Sequence, residues 1–348
     1  MNDRPFISNR GESHRLHSRA HALANLALVK YFGKRDTGRN LPAASSLSIS
    51  LDPLVTETSV SFDADFTEDC IELNGVAADE KFSAKVSAFL DKVRAMAGVS
   101  MGASVVTSNH FPTAAGLASS ASGFAALALA ATDALTLLLS EQQLSVLARQ
   151  GSGSAARSIP GGVAVWQKGD RDDGTDSYAY RIADPDDLDL RVVAGVSDPG
   201  PKSEGSTSAM ERTRLTSPYF PNWIETVNRD LVKAVQAVER RDLQQLAEIA
   251  ENNALAMHAA ALAARPGILF WKGATVEAFH LTRRLRKSGV FAYFTCDAGP
   301  QPKVICTSAD EPKVAEALSA LPGIFNVIRC RIGGGAHILR EDGCNVCH

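Results

Sequence analysis

No stretch of this 348-residue sequence is apolar over enough length to suggest a membrane span. The longest apolar run, 114–139, holds several Ser and Thr residues and Asp133, so it reads as a buried helix. An export signal is also lacking, since residues 1–18 are polar with no apolar centre, and this points to the cytoplasm. Neither sign of charge dominates: the formal net charge is −3, so nothing global suggests nucleic acid. The six cysteines, at 70, 296, 306, 330, 344 and 347, form no framework, and reduced thiols are expected. Cys344, Cys347 and His348 match a haem-attachment pattern, yet attachment requires export and a metal site would need two more ligands. A frayed tail is the expectation there. No internal repeat is apparent. No Lys follows the glycine of the one small-residue loop, which disfavours the common P-loop fold.

What is present is an ordinary globular composition, 45% hydrophobic and 22% charged, in a chain long enough for two domains. Charge is unevenly spread: residues 1–40 carry eight Lys/Arg against three acids, and 170–190 carries eight Asp against two Arg. Basic residues lining a cleft would suit a polyanionic small substrate. The acidic stretch lacks an apolar pattern and is expected to be a solvated hairpin leading into a second domain.

The stretch 109–123 organises the rest. A short β-branched run, 103–107, precedes it and an Ala/Leu-rich helix, 124–139, is expected to follow. Between them lie small residues and the hydroxyls of Thr113, Ser119, Ser120 and Ser122. Such a loop, feeding a helix N-terminus, offers free backbone N–H groups to an anion. Upstream, the apolar run 26–29 delivers Lys30, Tyr31, Lys34 and Arg35 around a glycine, and an ammonium directly after an apolar run needs an anion. Downstream, a helix over 140–150, capped by Ser140 with Gln143 in the capping-box position, runs into the Gly/Ser segment 151–162. Ser152, Ser154 and Arg157 there form a plausible phosphate cradle before a strand at 163–166. Further on, 56–62 and 190–196 read as strands. The stretches 82–97, 223–246, 246–264, 273–288 and 311–321 read as helices. The apolar strand 290–296 ends in Asp297, which either starts a turn, as Asp often does before Gly-Pro, or faces a cleft. His258 sits on an apolar face and reads as a core histidine.

Four of these motifs share a resemblance. The string from Phe111 through Pro112, Gly116, Leu117, Ser119 and Ser120 to Ala121 resembles the phosphate loop of the galacto-, homoserine, mevalonate and phosphomevalonate (GHMP) kinase superfamily. It is most similar to the mevalonate diphosphate decarboxylase branch. The segments 24–36 and 41–48 resemble that family's first loop, with Phe32 in place of Trp. The segments 151–162 and 292–300 are similar to two more of its signatures. The segment 202–210 is a weaker likeness, with Gly205 and Ala209 departing from the pattern.

The resemblance, from about residue 24 to 335, implies an α+β, two-domain GHMP-kinase-like fold. A ribosomal-protein-S5-like domain at 17–188 would follow a disordered leader at 1–16, and a ferredoxin-like domain would span 189–348. The active site would lie in the cleft between them. It implies ATP- and Mg2+-dependent decarboxylation of mevalonate 5-diphosphate to isopentenyl diphosphate, ADP, phosphate and CO2, in the cytoplasm. A monophosphate decarboxylase, a 3-kinase or a silent ligand-binding homologue are the alternatives. Asp297, Lys30 and Arg157 would be catalytic. Asn25, Tyr31, Lys34, Ser152, Ser154 and Arg157 would bind substrate, and Pro112, Gly116, Leu117, Ser119, Ser120 and Ser206 the nucleotide. No protein metal site, nucleic acid or membrane is implied, and a homodimer is possible.

Overall fold

A computed structural model describes residues 16–111, 119–198, 200 and 204–340. The chain opens with β1 (His17–Val29), β2 (Lys34–Asp36), β3 (Leu41–Pro42) and the 18-residue β4 (Ser46–Asp63). β5 (Cys70–Leu73), β6 (Val76–Ala77), α1 (Glu80–Ala97) and β7 (Gly102–Asn109) follow. Next are α2 (Ser119–Ala134), α3 (Glu141–Gly151), α4 (Ala155–Ser158), β8 (Val163–Trp166) and β9 (Ala179–Ala183). The remainder runs β10 (Arg191–Val196), α5 (Ser206–Thr216), α6 (Phe220–Glu239), α7 (Leu243–Leu262), α8 (Gly273–Lys287) and β11 (Ala292–Cys296). It closes with β12 (Pro302–Cys306), α9 (Glu311–Ser319), β13 (Asn326–Ile332) and β14 (His337–Ile338).

β4 joins the two halves. Its length lets it pair with β1, β7, β8 and, at Leu51 and Asp52, with β13 of the C-terminal half. One mixed sheet of 12 strands therefore runs through both halves. In the C-terminal half β11, β12, β10 and β13 lie antiparallel in that order, with helices on both faces. After β13 the chain returns to pair β14 with β1. The mixed α+β architecture is the one expected.

β1 shows how sequence sets the site. Its register on β4 jumps from Leu23–Val55 to Asn25–Ser50. The extra residues at this shift, 51–54, lie in β4, so it is β4 that bulges. Ala20 and Ala22 join the core beneath α2, while Leu26 and Leu28 join the core under α6 and α7. Small side chains, Ala125, Ala128 and Ala131 among them, let α2 lie close on the sheet. Asp133, the charge inside that apolar run, accepts a hydrogen bond from Ser18 Oγ at 2.6 Å.

Several boundaries differ from expectation. α2 ends at Ala134 rather than 139, because Leu137 N–H turns back to Thr132 O at 2.8 Å with Thr136 at φ 53°. The two long helices divide at 240–242 rather than at 246. Arg241 adopts φ 55°, and the Asp242 carboxylate caps α7 by accepting from Gln245 N–H. The Ser140–Gln143 capping box is present. The strand β12 gives little warning in sequence, since it opens with Pro302.

Candidate active site

Asp297 follows the last residue of β11, where the side chain is 26% exposed. Its Oδ1 accepts from Lys30 Nζ at 2.8 Å, and its Oδ2 lies 3.1 Å from Lys303 Nζ. Burial alone would raise the carboxyl pKa, but the two ammonium groups override it and hold the group far below the usual carboxylate range. Lys30, 2% exposed, is pulled below the ordinary lysine value by burial, with Asp297 opposing. Lys303 is also desolvated, yet Asp297 brings it out above its ordinary value. α7 fixes the Lys30 backbone: Asn253 Oδ1 accepts from Lys30 N–H at 2.8 Å, and Lys30 Nζ also donates to Ala27 O.

His258 on α7 lies behind this cluster, its Nε2 3.4 Å from Cys296 O, and burial pushes its pKa down to about 3. It is the neutral core histidine expected. The Phe32 side chain is buried against Phe270, and its carbonyl accepts from Trp223 Nε1–H at 2.8 Å. Phe in this position thus still ties the first loop to α6.

Arg157, on the short α4, is buried. Asn25 Oδ1 accepts from its Nε and Nη2 at 3.1 and 3.0 Å, and Ser46 Oγ from its Nη1 at 2.7 Å. Asn25 Nδ2 in turn donates to Ser154 O and Ser158 Oγ. This polar knot ties β1 to α4 through Asn25. All three guanidinium nitrogens donate within the protein, which leaves the second N–H of Nη1 and of Nη2 for a further acceptor such as a carboxylate. Desolvation draws the Arg157 pKa down to about 10, opposed by Asp297.

Tyr31 packs edge-on against Trp166, and its buried hydroxyl has no hydrogen-bond partner among the described residues. A Cβ at Gly153 would sit 2.6 Å from that oxygen, so glycine is what lets the hydroxyl lie there. Lys34 Nζ donates to Asn40 Oδ1 at 2.7 Å and to Thr207 Oγ1 at 3.3 Å. Asn40 is itself held by the carbonyls of Arg149 and Gln150. Gly33, at φ 141°, has the Phe220 ring 2.8 Å from where a Cβ would stand, which docks the loop on α6.

Ser119 begins α2, and Ser120 Oγ accepts from Ser152 Oγ at 3.4 Å, joining the two Ser-rich segments. Ser122 Oγ and Thr56 Oγ1, 2.6 Å apart, anchor the helix start to β4. Beside it lies a mainly apolar cavity of about 300 Å³ between α1, β7 and α2, where Phe82, Val86, Thr107, Gly123, Phe124 and Lys85 stand. Pro112, Gly116 and Leu117 lie outside the described residues, as do Thr113, Lys202 and the tail cysteines. Ser206 is the first residue of α5 next to Thr207, the Lys34 partner.

A helix start, hydroxyls and an apolar cavity together fit a nucleotide whose base is buried and whose phosphates meet backbone N–H groups. Among the described residues no group of three or more His, Cys, Asp or Glu is placed to hold a metal. Magnesium therefore fits as an ion carried largely on nucleotide phosphates, its usual habit, rather than in a protein cage.

Sequence reading missed Lys303, Ser46 and Asn40. Lys303 carried a usable signal, a lone lysine inside an otherwise apolar five-residue strand, the argument already applied to Lys30. Ser46 and Asn40 act through partners distant in sequence, which spacing cannot reveal.

Fold and site define a two-domain α+β enzyme of the GHMP kinase class. Residues 22–179 match the diphosphomevalonate decarboxylase-like N-terminal domain and 192–331 the mevalonate 5-diphosphate decarboxylase C-terminal domain. The chain belongs to the mevalonate diphosphate decarboxylase family. It is 35% identical over 322 residues to the diphosphomevalonate decarboxylase of Aspergillus fumigatus, covering 87% of this chain and 80% of that protein. The Staphylococcus aureus mevalonate diphosphate decarboxylase structure superposes with a TM-score of 0.89 at 36% identity, over 93% of this chain and 98% of that one. MDDEF, solved in complex with MVAPP, AMPPCP and magnesium, is 40% identical with a TM-score of 0.87, over 93% of this chain and 99% of its own.

Proposed function

We propose that the protein decarboxylates mevalonate 5-diphosphate with ATP, giving isopentenyl diphosphate, ADP, phosphate and CO2. The observation that carries the reading is the Asp297 carboxylate held between Lys30 and Lys303, in a chain of this family. A tertiary hydroxyl is a poor leaving group and must be phosphorylated before it departs. The 3-hydroxyl would donate a hydrogen bond to Asp297, which orients it toward the nucleotide's terminal phosphate. Lys30 would neutralise charge that builds during transfer, to which magnesium bound with the nucleotide would add. When phosphate leaves, positive charge develops at C3 and the neighbouring carboxylate is lost as CO2. Arg157, braced by Asn25 and Ser46, holds that carboxylate in line.

Tyr31, Lys34, Ser152 and Ser154 would receive the 5-diphosphate. The unpartnered Tyr31 hydroxyl supports this, because a buried hydroxyl without a partner costs about 1–3 kcal/mol unless a ligand satisfies it. Ser119, Ser120 and Ser206 would face the nucleotide, with Pro112, Gly116 and Leu117. A cytoplasmic homodimer completes the reading; no described helix is long and apolar enough to cross a membrane. Incubation with mevalonate 5-diphosphate, ATP and magnesium tests the assignment. Isopentenyl diphosphate seen by phosphorus and proton NMR is the expected product, and a stable 3-phosphorylated acid would contradict it.

A further inference from the structure

A second lysine meets the catalytic carboxylate. Lys303 lies in β12, paired with Ala194 of β10 on one side and Thr295 of β11 on the other. Along β12, Val304 and Cys306 pack in the cluster with α8 and α9, while Ile305 joins the core under α6 and α7. The two-residue period puts Lys303 on the same side as Ile305. Its side chain is 3% exposed, and an ammonium so placed is costly without an anion. That anion is Asp297 Oδ2, whereas Lys30 takes Oδ1. The three groups together carry one net positive charge.

We propose that Lys303 is a positioning residue that keeps Asp297 ionised and oriented while Lys30 turns toward the nucleotide's phosphates. The inference rests on the function proposed above. Were Lys30 the sole partner, its departure would strand a carboxylate in low-dielectric surroundings, which favour the neutral acid. With Lys303 in place, Oδ2 stays held and Oδ1 is released to accept from the substrate hydroxyl. The groups facing Asp297 are Lys30 at the end of β1, Lys303 on β12, Arg157 on α4, His258 on α7 and its neighbour Cys296. His258 stays neutral, and Arg157 is committed to Asn25 and Ser46. Lys303 is therefore the cation that can stay with Asp297 through turnover.

The test uses full-length Lys303→Met and Lys303→Arg. Carbon-13 NMR of the aspartate carboxyls, with Asp297 assigned through Asp297→Asn, follows ionisation in the complex with a non-hydrolysable ATP analogue and substrate. In Lys303→Met the Asp297 midpoint is expected to rise by about one to three pH units. The acid limb of kcat should move up in step, with KM near wild type, and Lys303→Arg should restore both. An unchanged midpoint, or a raised KM with an unmoved limb, overturns the proposal. Lys303→Gln replaces Lys303→Met if the latter does not melt cooperatively. Failure of the wild type to release CO2 would sink the functional reading instead, and the carboxyl titration still judges Lys303.

Discussion

Two parts of the site, both reached from the residues after β1, are built on opposite terms. Around Asp297 every charge already has its partner within the protein: Lys30 and Lys303 for the carboxylate, Asn25 and Ser46 for Arg157. Around Tyr31 a buried hydroxyl, packed on Gly153, stands without a hydrogen-bond partner among the described residues. Groups that act on reacting atoms are held in advance, so little reorganisation is left for the chemical step. Of the groups proposed to receive the substrate's tail, Lys34 and Ser152 already have partners, while the Tyr31 hydroxyl has none among the described residues and is left for the ligand's phosphates to complete.

The sharpest way to break this contrast is Asp297→Asn. Size is kept while the anion that organises the two lysines is lost. We expect kcat to fall about 10²–10⁴-fold, with nucleotide affinity retained in a folded protein. Near-normal kcat would remove Asp297 from the chemistry. Arg157→Lys should follow in size, since a point ammonium cannot replace the fork that Asn25 braces. Wild-type kcat/KM in that variant would make Arg157 structural only.

Tyr31→Phe probes the other side. Removing an unpartnered hydroxyl should leave the free protein as stable or more so, by about 1 kcal/mol, while KM for the diphosphate rises about tenfold. A drop in melting temperature with unchanged KM would mean that the hydroxyl is met inside the protein. The same logic predicts a higher kcat/KM for the 5-diphosphate than for the 5-monophosphate, because donors meant for the second phosphate stay unpaired with the shorter tail. Steady-state kinetics on both compounds decides it, and a preference for the monophosphate would reverse the substrate assignment.

The smallest effect on activity concerns His258, whose part is in stability. Its folded pKa of about 3 lies below its ordinary value of 6.5, so the unfolded chain takes up a proton that the folded one refuses. Stability is then lost as pH falls through that window, by about 1.4 kcal/mol per pH unit for one proton. His258→Phe should flatten the dependence of urea midpoint on pH between about 6 and 4 relative to wild type. An unchanged slope would show that the ring already titrates in the folded state.

How much of this could be read in the sequence varies with the kind of signal. The α3 capping box and the β8 strand follow from local chemistry and are where expected. The family resemblance implied the fold, and the lysine after an apolar run flagged Lys30. The end of α2 was not legible, because Leu135 and Leu137 continue the apolar pattern and only a backward turn onto Thr132 stops the helix. Nor was the role of Ser46 as a brace for Arg157, 111 positions away in the chain. The shift in register between β1 and β4 beside Asn25 depends on long-range pairing, which no local pattern encodes.

The central claim is that phosphorylation and loss of CO2 are coupled in one site. Release of CO2 from carboxyl-labelled mevalonate 5-diphosphate, measured against ADP in the same reaction, tests it most directly. One CO2 for each ADP is the result predicted, and ADP formed without CO2 would contradict it.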